Sequence, residues 1–438
     1  MRSFKAVLLT FIILFSAAAA FAGGKEPTTE ELMKEISALK VRVTQLEAKL
    51  AEQCEVTDKQ GEQIKKHEDH IFHKTGVKEL FTKEGLSIGA GATFIAQGTP
   101  NANGAGGGED SRFDGCYKVD IEIEKEFGDF GLGYILLEAG QGDTIESDLS
   151  VFSNVNQAAA GTNAHVDAIE VWYEHYLFDN QITVTGGKID TTNYIDKNEY
   201  ANDETAQFIG RMFRNSPVID FPDDNGPGVR LRIAPKEIDF LEIEGTWADE
   251  DADWENLVDK TFVAAQVNFM PAKAFDYDED KWGGNYRAIF WYNGGDHTKL
   301  EDTSETKEDN HGFGISCDQK VTETFGLFGR FGWQDPSVSD IEYHWSAGIQ
   351  MMGEYWNRED DFVAVAFGQA IPGKDYGDAG NPHDNENHLE AYYSYKVNEY
   401  LTISPDFQII WNPNGVGNKN DGDNDTIFVY GARGQVGF

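Results

Sequence analysis

From Leu86 to the end of the chain, apolar and polar residues alternate one for one in segments of about ten residues. Leu401-Ile403-Pro405-Phe407-Ile409-Trp411 interleaves with Thr402-Ser404-Asp406-Gln408, and Leu241-Ile243-Gly245-Trp247 with Phe240-Glu242-Glu244-Thr246. A period of two puts the two kinds of side chain on opposite faces of a strand. Beyond the N-terminus there is no run of about 18 apolar residues, which excludes a helical membrane protein. Two all-β architectures remain: a soluble sandwich with its apolar faces inside, and a transmembrane barrel with them outside.

Strand and connector lengths separate the two. Strands are expected near 86–97, 117–127, 130–138, 166–178, 181–189, 227–233, 239–247, 260–270, 283–294, 310–320, 323–333, 344–354, 360–370, 387–397, 399–411 and 426–438. Gly128-Asp129, Asp179-Asn180, Val321-Thr322 and Asn398 make the second, fourth, tenth and fourteenth connectors tiny. The first, third, fifth, seventh, ninth, thirteenth and fifteenth are long and rich in Gly, Asn and Asp. Short turns at one end and long loops at the other predict an antiparallel transmembrane β-barrel of about 16 strands. The eighth connector, around Ala272 to Trp282, is longer than this rule expects and leaves room for a misplaced strand. Parity then puts the N-terminal arm and the C-terminus on the periplasmic side. Phe428, Tyr430, Ala432, Gly434, Val436 and Phe438 share one face of the last strand, which ends in an aromatic. Tyr393, Tyr395, Tyr400, Trp411 and Tyr430 lie near strand ends, where interfacial girdles sit.

Ahead of the barrel, residues 1–22 read as a signal peptide: Arg2 and Lys5, an apolar stretch, then Ala20-Phe21-Ala22. Residues 23–80 form an arm and linker, and 81–438 the barrel. Leu32, Leu39 and Leu46 with Ile36, Val43 and Leu50 mark a short periplasmic coiled-coil helix over 28–53. Its expected partners are further copies of the chain or peptidoglycan.

Other function classes are thinly supported. With 76 acidic against 36 basic residues and a net charge of −40, the chain is unsuited to nucleic acid. Three cysteines build no disulfide framework. Gly-x-Ser-x-Gly is absent and the histidines are scattered, so no catalytic residues are assigned and no enzyme is expected. No metal or cofactor is expected either. His67, His70 and His73 read as a solvated helix face, and Asp421 to Asp425 as a hydrated loop without spaced ligands.

The fifth connector, 190–226, differs from the other loops. It carries Tyr194, Ile195, Tyr200, Phe208, Ile209, Met212, Phe213, Val218, Ile219 and Phe221, more apolar anchors than a loop in water needs. It is expected to fold into the lumen, with its apolar side on the wall and its polar side narrowing the pore.

This segment is similar to the carbohydrate-selective porin family of the OprB type. The resemblance rests on Gly187-Lys188-Ile189-Asp190, Asp196-Lys197-Asn198, Ala201-Asn202-Asp203, Gln207-Phe208 and Gly228-Val229-Arg230. Residues 389–413 resemble the family's penultimate hairpin. The resemblance implies passive, substrate-biased diffusion of mono- or oligosaccharides across the bacterial outer membrane, with sugars as permeants and lipid around the barrel. A pore for neutral sugars needs donors and acceptors without a large field of one sign, which Arg–carboxylate arrays supply. The candidates on the wall are Lys188, Arg230, Arg232 and Arg330 beside Asp190, Glu242 and Glu244. From the loop come Asp196, Asn202, Asp203, Gln207, Arg211 and Arg214. The alternative is a general or ion-selective porin whose arm tethers the outer membrane to the cell wall.

Overall fold

The structure, a computed structural model, describes residues 78–104, 111–159, 164–301, 304, 306–307, 309–417 and 426–437. The signal peptide, the coiled-coil arm, the three arm histidines and the Asp421 to Asp425 loop lie outside these residues.

Every expected strand is present. The barrel strands are β2 (Leu86–Thr99), β3 (Arg112–Glu126), β4 (Gly131–Gln141), β5 (Val166–Leu177), β6 (Ile182–Ile189), β7 (Gly226–Ile233), β8 (Leu241–Asp249), β9 (Thr261–Phe269) and β10 (Gly284–Asn293). They continue with β13 (Asn310–Thr322), β14 (Phe325–Gln334), β15 (Ile341–Met352), β16 (Phe362–Pro372), β17 (Glu386–Lys396), β18 (Leu401–Trp411) and β19 (Ile427–Gly437). Each pairs antiparallel with the next, and β19 closes onto β2 from Tyr430↔Gly98 to Gly437↔Gly91. Closure gives each of these sixteen strands a neighbour on both sides and leaves the barrel without an open edge, the condition for a sheet in hydrocarbon.

The wall is inside out compared with a soluble sheet. On β5 the glutamates Glu170 and Glu174 are 2 % and 6 % exposed, while Val171 and Tyr173 are 42 % and 41 % exposed. Ile121, Val229, Leu231, Ile243, Phe290, Ile315, Leu327, Ile349, Ile403 and Phe407 continue that outward apolar face around the barrel. Nearly continuous apolar surface of this extent suits lipid rather than water.

Three local differences from the sequence reading have physical causes. β3 begins at Arg112, earlier than its alternation suggests, because backbone pairing with β2 runs on to Thr99↔Arg112 through the non-alternating Asp114 and Gly115. A further strand, β1 (Lys78–Lys83), straddles the expected boundary at 80 and pairs with the start of β2 through a two-residue turn. Glu84 and Gly85 both take positive φ there, the backbone of a type I′ hairpin. The eighth connector holds no strand but two single helical turns, Pro271–Ala274 and Glu279–Trp282. The remaining strands, β11 (His297–Thr298) and β12 (Thr306–Lys307), form a small hairpin in the ninth connector.

Candidate functional site

The interior begins with the fifth connector, residues 190–225, which leaves β6 and crosses the lumen. Its apolar side packs on the wall in two places. Tyr194, Ile195 and Ile219 bury against Leu132, Tyr134, Leu136, Trp172, Phe262, Ile289 and Trp291. Tyr200, Phe208, Met212, Phe213 and Val218 bury against Phe328, Ala364, Ala366, Ala370 and Tyr392. The wall makes room with glycine: a Cβ at Gly326 would sit 2.1 Å from the Tyr200 ring, and one at Gly332 would sit 2.5 Å from Val218. These close approaches are available only without a side chain.

Polar fasteners hold the loop at mid-barrel. Arg330 of β14 donates to the Asp196 carboxylate at 2.9 Å and to the backbone oxygens of Asp196, Ala201 and Phe213 at 3.0, 2.7 and 2.5 Å. The side chains of Arg330 and Asp196 are 0 % and 1 % exposed. Both were candidates for contacting sugar; the structure encloses them instead as the loop's anchor. Glu390 of β17 accepts from the amides of Ile209 and Gly210, and Arg433 of β19 donates to the backbone oxygens of Glu204 and Gln207. Asn198 reaches Ser316 and the Cys317 carbonyl on β13.

A second inward loop was not expected. Residues 142–159 of the third connector fold onto β17, β18, β19 and β2. Ile145 and Val155 bury against Ile410, Ile427 and Val429, and the Val155 carbonyl accepts from Gln97 and Gln408. Glu386 accepts from the amides of Phe152, Ser153 and Asn414. The two loops meet: the Gln157 amide donates to the Ile209 carbonyl at 2.8 Å, and the Arg211 amide to the Asn154 carbonyl at 3.0 Å. The apolar signal here is Ile145, Leu149, Val151, Phe152 and Val155, the same kind that marked the fifth connector but sparser.

Within this loop Glu146 accepts from the Val155 and Asn156 amides at 3.0 Å each. Burial pushes its carboxyl up from 4.5 to about 7, against the pull of those two amides. A raised carboxyl pKa means that the docked loop holds the proton more tightly than the undocked one. Docking is therefore fully favoured below the ordinary value and weakens as pH rises through about 7. Hydrogen-exchange protection of the Val155 and Asn156 amides should fall across that window, and Glu146→Gln should flatten the fall. Equal pH profiles in the two proteins would refute the assignment.

The remaining candidates form paired arrays. Arg230 donates to Glu244 and to Glu174, the latter at 2.8 Å, and its guanidinium lies 4.6 Å from the centre of the Tyr194 ring. Arg232 pairs with Glu242 at 2.6 Å, and both side chains stay partly exposed. Arg214 pairs with Glu204 at 2.9 Å and lies 3.9 Å from Asp190, while donating to Thr192. Burial lowers the Arg214 pKa, but Glu204 and Asp190 outweigh it and hold it above its ordinary value. Asp190 caps Thr192, Asp203 caps Thr205, and Gln207 accepts from the amides of Asn202 and Asp203. Lys188 reaches the Ala168 carbonyl at 2.9 Å. Arg211 is exposed.

Glu174, Glu204, Arg287 and Asp318 complete these arrays and were missed, Arg287 and Asp318 pairing at 2.5 Å. Three of the four were legible: Glu174, Arg287 and Asp318 stand on the polar parity of their strands. Glu204, in the loop, had no such marker.

The chain matches the family model described as carbohydrate-selective porin, OprB family, over residues 117–438. A solved structure of similar fold, the high-pH structure of Pseudomonas putida OprB, has 15 % identity and a TM-score of 0.68. That likeness covers 81 % of this chain and 94 % of the other. An uncharacterized protein of Aquifex aeolicus (strain VF5) is 29 % identical over 228 residues, 52 % of this chain and 59 % of its own length.

Proposed function

The chain belongs to the OprB family of carbohydrate-selective porins, and from that premise we propose that it gives passive, substrate-biased diffusion of sugars through an outer-membrane pore narrowed by residues 190–225. The observation that supports this reading best is the pairing of interior guanidinium and carboxylate groups: Arg232 with Glu242, both partly open to the lumen, backed by the enclosed pairs of Arg230 with Glu174 and Glu244 and of Arg214 with Glu204. Paired charges offer donors and acceptors to a polyol while presenting little net field to an ion.

A sugar at Arg232 and Glu242 exchanges water hydrogen bonds for bonds to the pair, each worth a net 0.5–1.5 kcal/mol or so. Three at the upper end of that range give a site of roughly millimolar strength and fewer give a weaker one, weak enough for release. Liposome swelling with mono-, di- and trisaccharides against amino acids of similar size tests the reading. Faster entry of sugars supports it, and equal rates count against it. In single-channel recordings, replacing Arg230 and Arg232 with alanine should weaken sugar block by about tenfold, the equivalent of 1.4 kcal/mol. It should also raise cation preference, because Glu174, Glu242 and Glu244 lose their partners. Unchanged block and selectivity would refute this placement of the filter.

The heptad over 28–53 supports a separate role for the arm in self-association or cell-wall attachment. Its deletion should leave the barrel folded and change its size in detergent or its retention on peptidoglycan. A truncated barrel identical in both respects removes that role.

A further inference from the structure

At the long-loop end of β8, three aspartates converge. Asp249 ends the strand, paired in register with Thr261 of β9, and Asp251 and Asp253 follow in the seventh connector. One carboxylate oxygen from each lies within 4.8 Å of the others. Asp251 and Asp253 are exposed, as acidic residues usually are. Asp249 is different: the residue is 0 % exposed, and among the described residues no N–H or hydroxyl group donates to either of its carboxylate oxygens, its side-chain neighbour being a second carboxylate, Asp251. A buried carboxylate without donors is costly, because burial removes the water that would solvate it. Among the described residues no cation forms an ion pair with Asp249. Lys260 lies 3.4 Å from Asp251 and 3.8 Å from Asp296 and pairs with those.

We propose that Asp249, Asp251 and Asp253 bind a calcium ion at the outer rim of the barrel. All three donors are hard carboxylate oxygens, which suits calcium or magnesium rather than a soft transition metal. The Asp-x-Asp-x-Asp spacing supplies ligands from positions one, three and five of a short loop, the arrangement by which calcium loops wrap their ion. Calcium also tolerates the flexible, partly hydrated shell that two exposed aspartates provide, where magnesium demands rigid octahedral geometry. The site lacks one strong ligand. The twelfth position counted from Asp249 is Lys260 rather than a bidentate glutamate, so affinity falls in the weak class of extracellular modules, about 10⁻⁴–10⁻³ M. The ion would neutralise Asp249 and pin residues 250–260 to the end of β8. Lys260 keeps Asp296 as its partner.

Two measurements on the folded, full-length protein test this. Equilibrium dialysis with radioactive calcium should find one more bound ion per chain, at submillimolar to millimolar concentration, than in the Asp251→Asn/Asp253→Asn variant. Equal binding by the two proteins overturns the proposal, since it would assign all uptake to the general acidity of the chain. Trypsin cleavage after Lys260 should slow at least several-fold when calcium is added to the native protein. It should be unaffected by calcium in the Asp251→Asn single variant, which changes an exposed group and keeps the buried one. Calcium-independent cleavage of the native protein, or equal calcium protection of the variant, also overturns it. Magnesium at the same concentration serves as the competing ion; protection by magnesium but not calcium rejects the calcium assignment.

Discussion

Replacing Arg330 with alanine should release the fifth connector from the wall while leaving the barrel closed. The guanidinium satisfies one carboxylate and three backbone carbonyls at a position fully shut off from water. Its loss strands the Asp196 charge with only the Ser216 amide and the Asn215 side chain. Breaking a buried pair from one side costs about 3–5 kcal/mol, which shifts a docking equilibrium by roughly two to four orders of magnitude. The barrel's own hydrogen bonds run between strands and do not pass through Arg330, so heat-modifiable migration should persist. The expected signature is a higher or flickering single-channel conductance, with new tryptic cleavage after Arg211 and Arg214. Replacing the pair together, Arg330→Met with Asp196→Leu, should recover much of the docking, because no unpaired charge remains. A single variant with native conductance and native proteolysis would show that the apolar anchors alone hold the loop.

Replacing residues 197–215 by a short Gly-Ser linker should produce the largest change in permeation. This stretch carries Asn202, Asp203, Gln207, Arg211 and Arg214, and its inner packing rests on Phe208, Met212 and Phe213. With it gone, ion conductance should rise and discrimination between sugars and amino acids should fall towards the ratio of their diffusion rates. Loss of two or three polyol hydrogen bonds at about 0.5–1.5 kcal/mol each predicts sugar half-block at concentrations roughly fivefold or more above native. Current recordings with a sugar titration measure both. If conductance is native and half-block unmoved, the narrowing lies elsewhere, and the third connector with Glu146 and Glu386 becomes the place to look.

Much of this was written in the linear chain. Alternation of period two, sustained over segments long enough to cross hydrocarbon, leaves few architectures, because each strand's apolar face needs lipid or a second sheet. Loops on alternate connectors then set strand polarity, and the crowding of Tyr194, Ile195, Tyr200, Phe208, Met212 and Phe213 in one connector marked the segment that turns inward. All of these are local signals, readable because strand periodicity and loop composition depend on near neighbours alone.

What the sequence could not supply were partnerships across the lumen. Asp196 meets Arg330, Ile209 meets Glu390, and Arg433 meets Glu204, residues separated by 134, 181 and 229 positions. On the chain, Arg330 and Arg232 look alike, each an arginine on the polar parity of a strand. Only the closed barrel distinguishes them, by laying the loop over one and leaving the other partly open. The third connector was overlooked for the same reason: its few apolar residues gain meaning only where β18, β19 and β2 curve round to receive them. Alternation along each strand determined which side chains face the lumen, since the pleat allows two faces and no others. Tertiary closure decided which of those side chains touch water, because that depends on which distant segment comes to rest on them.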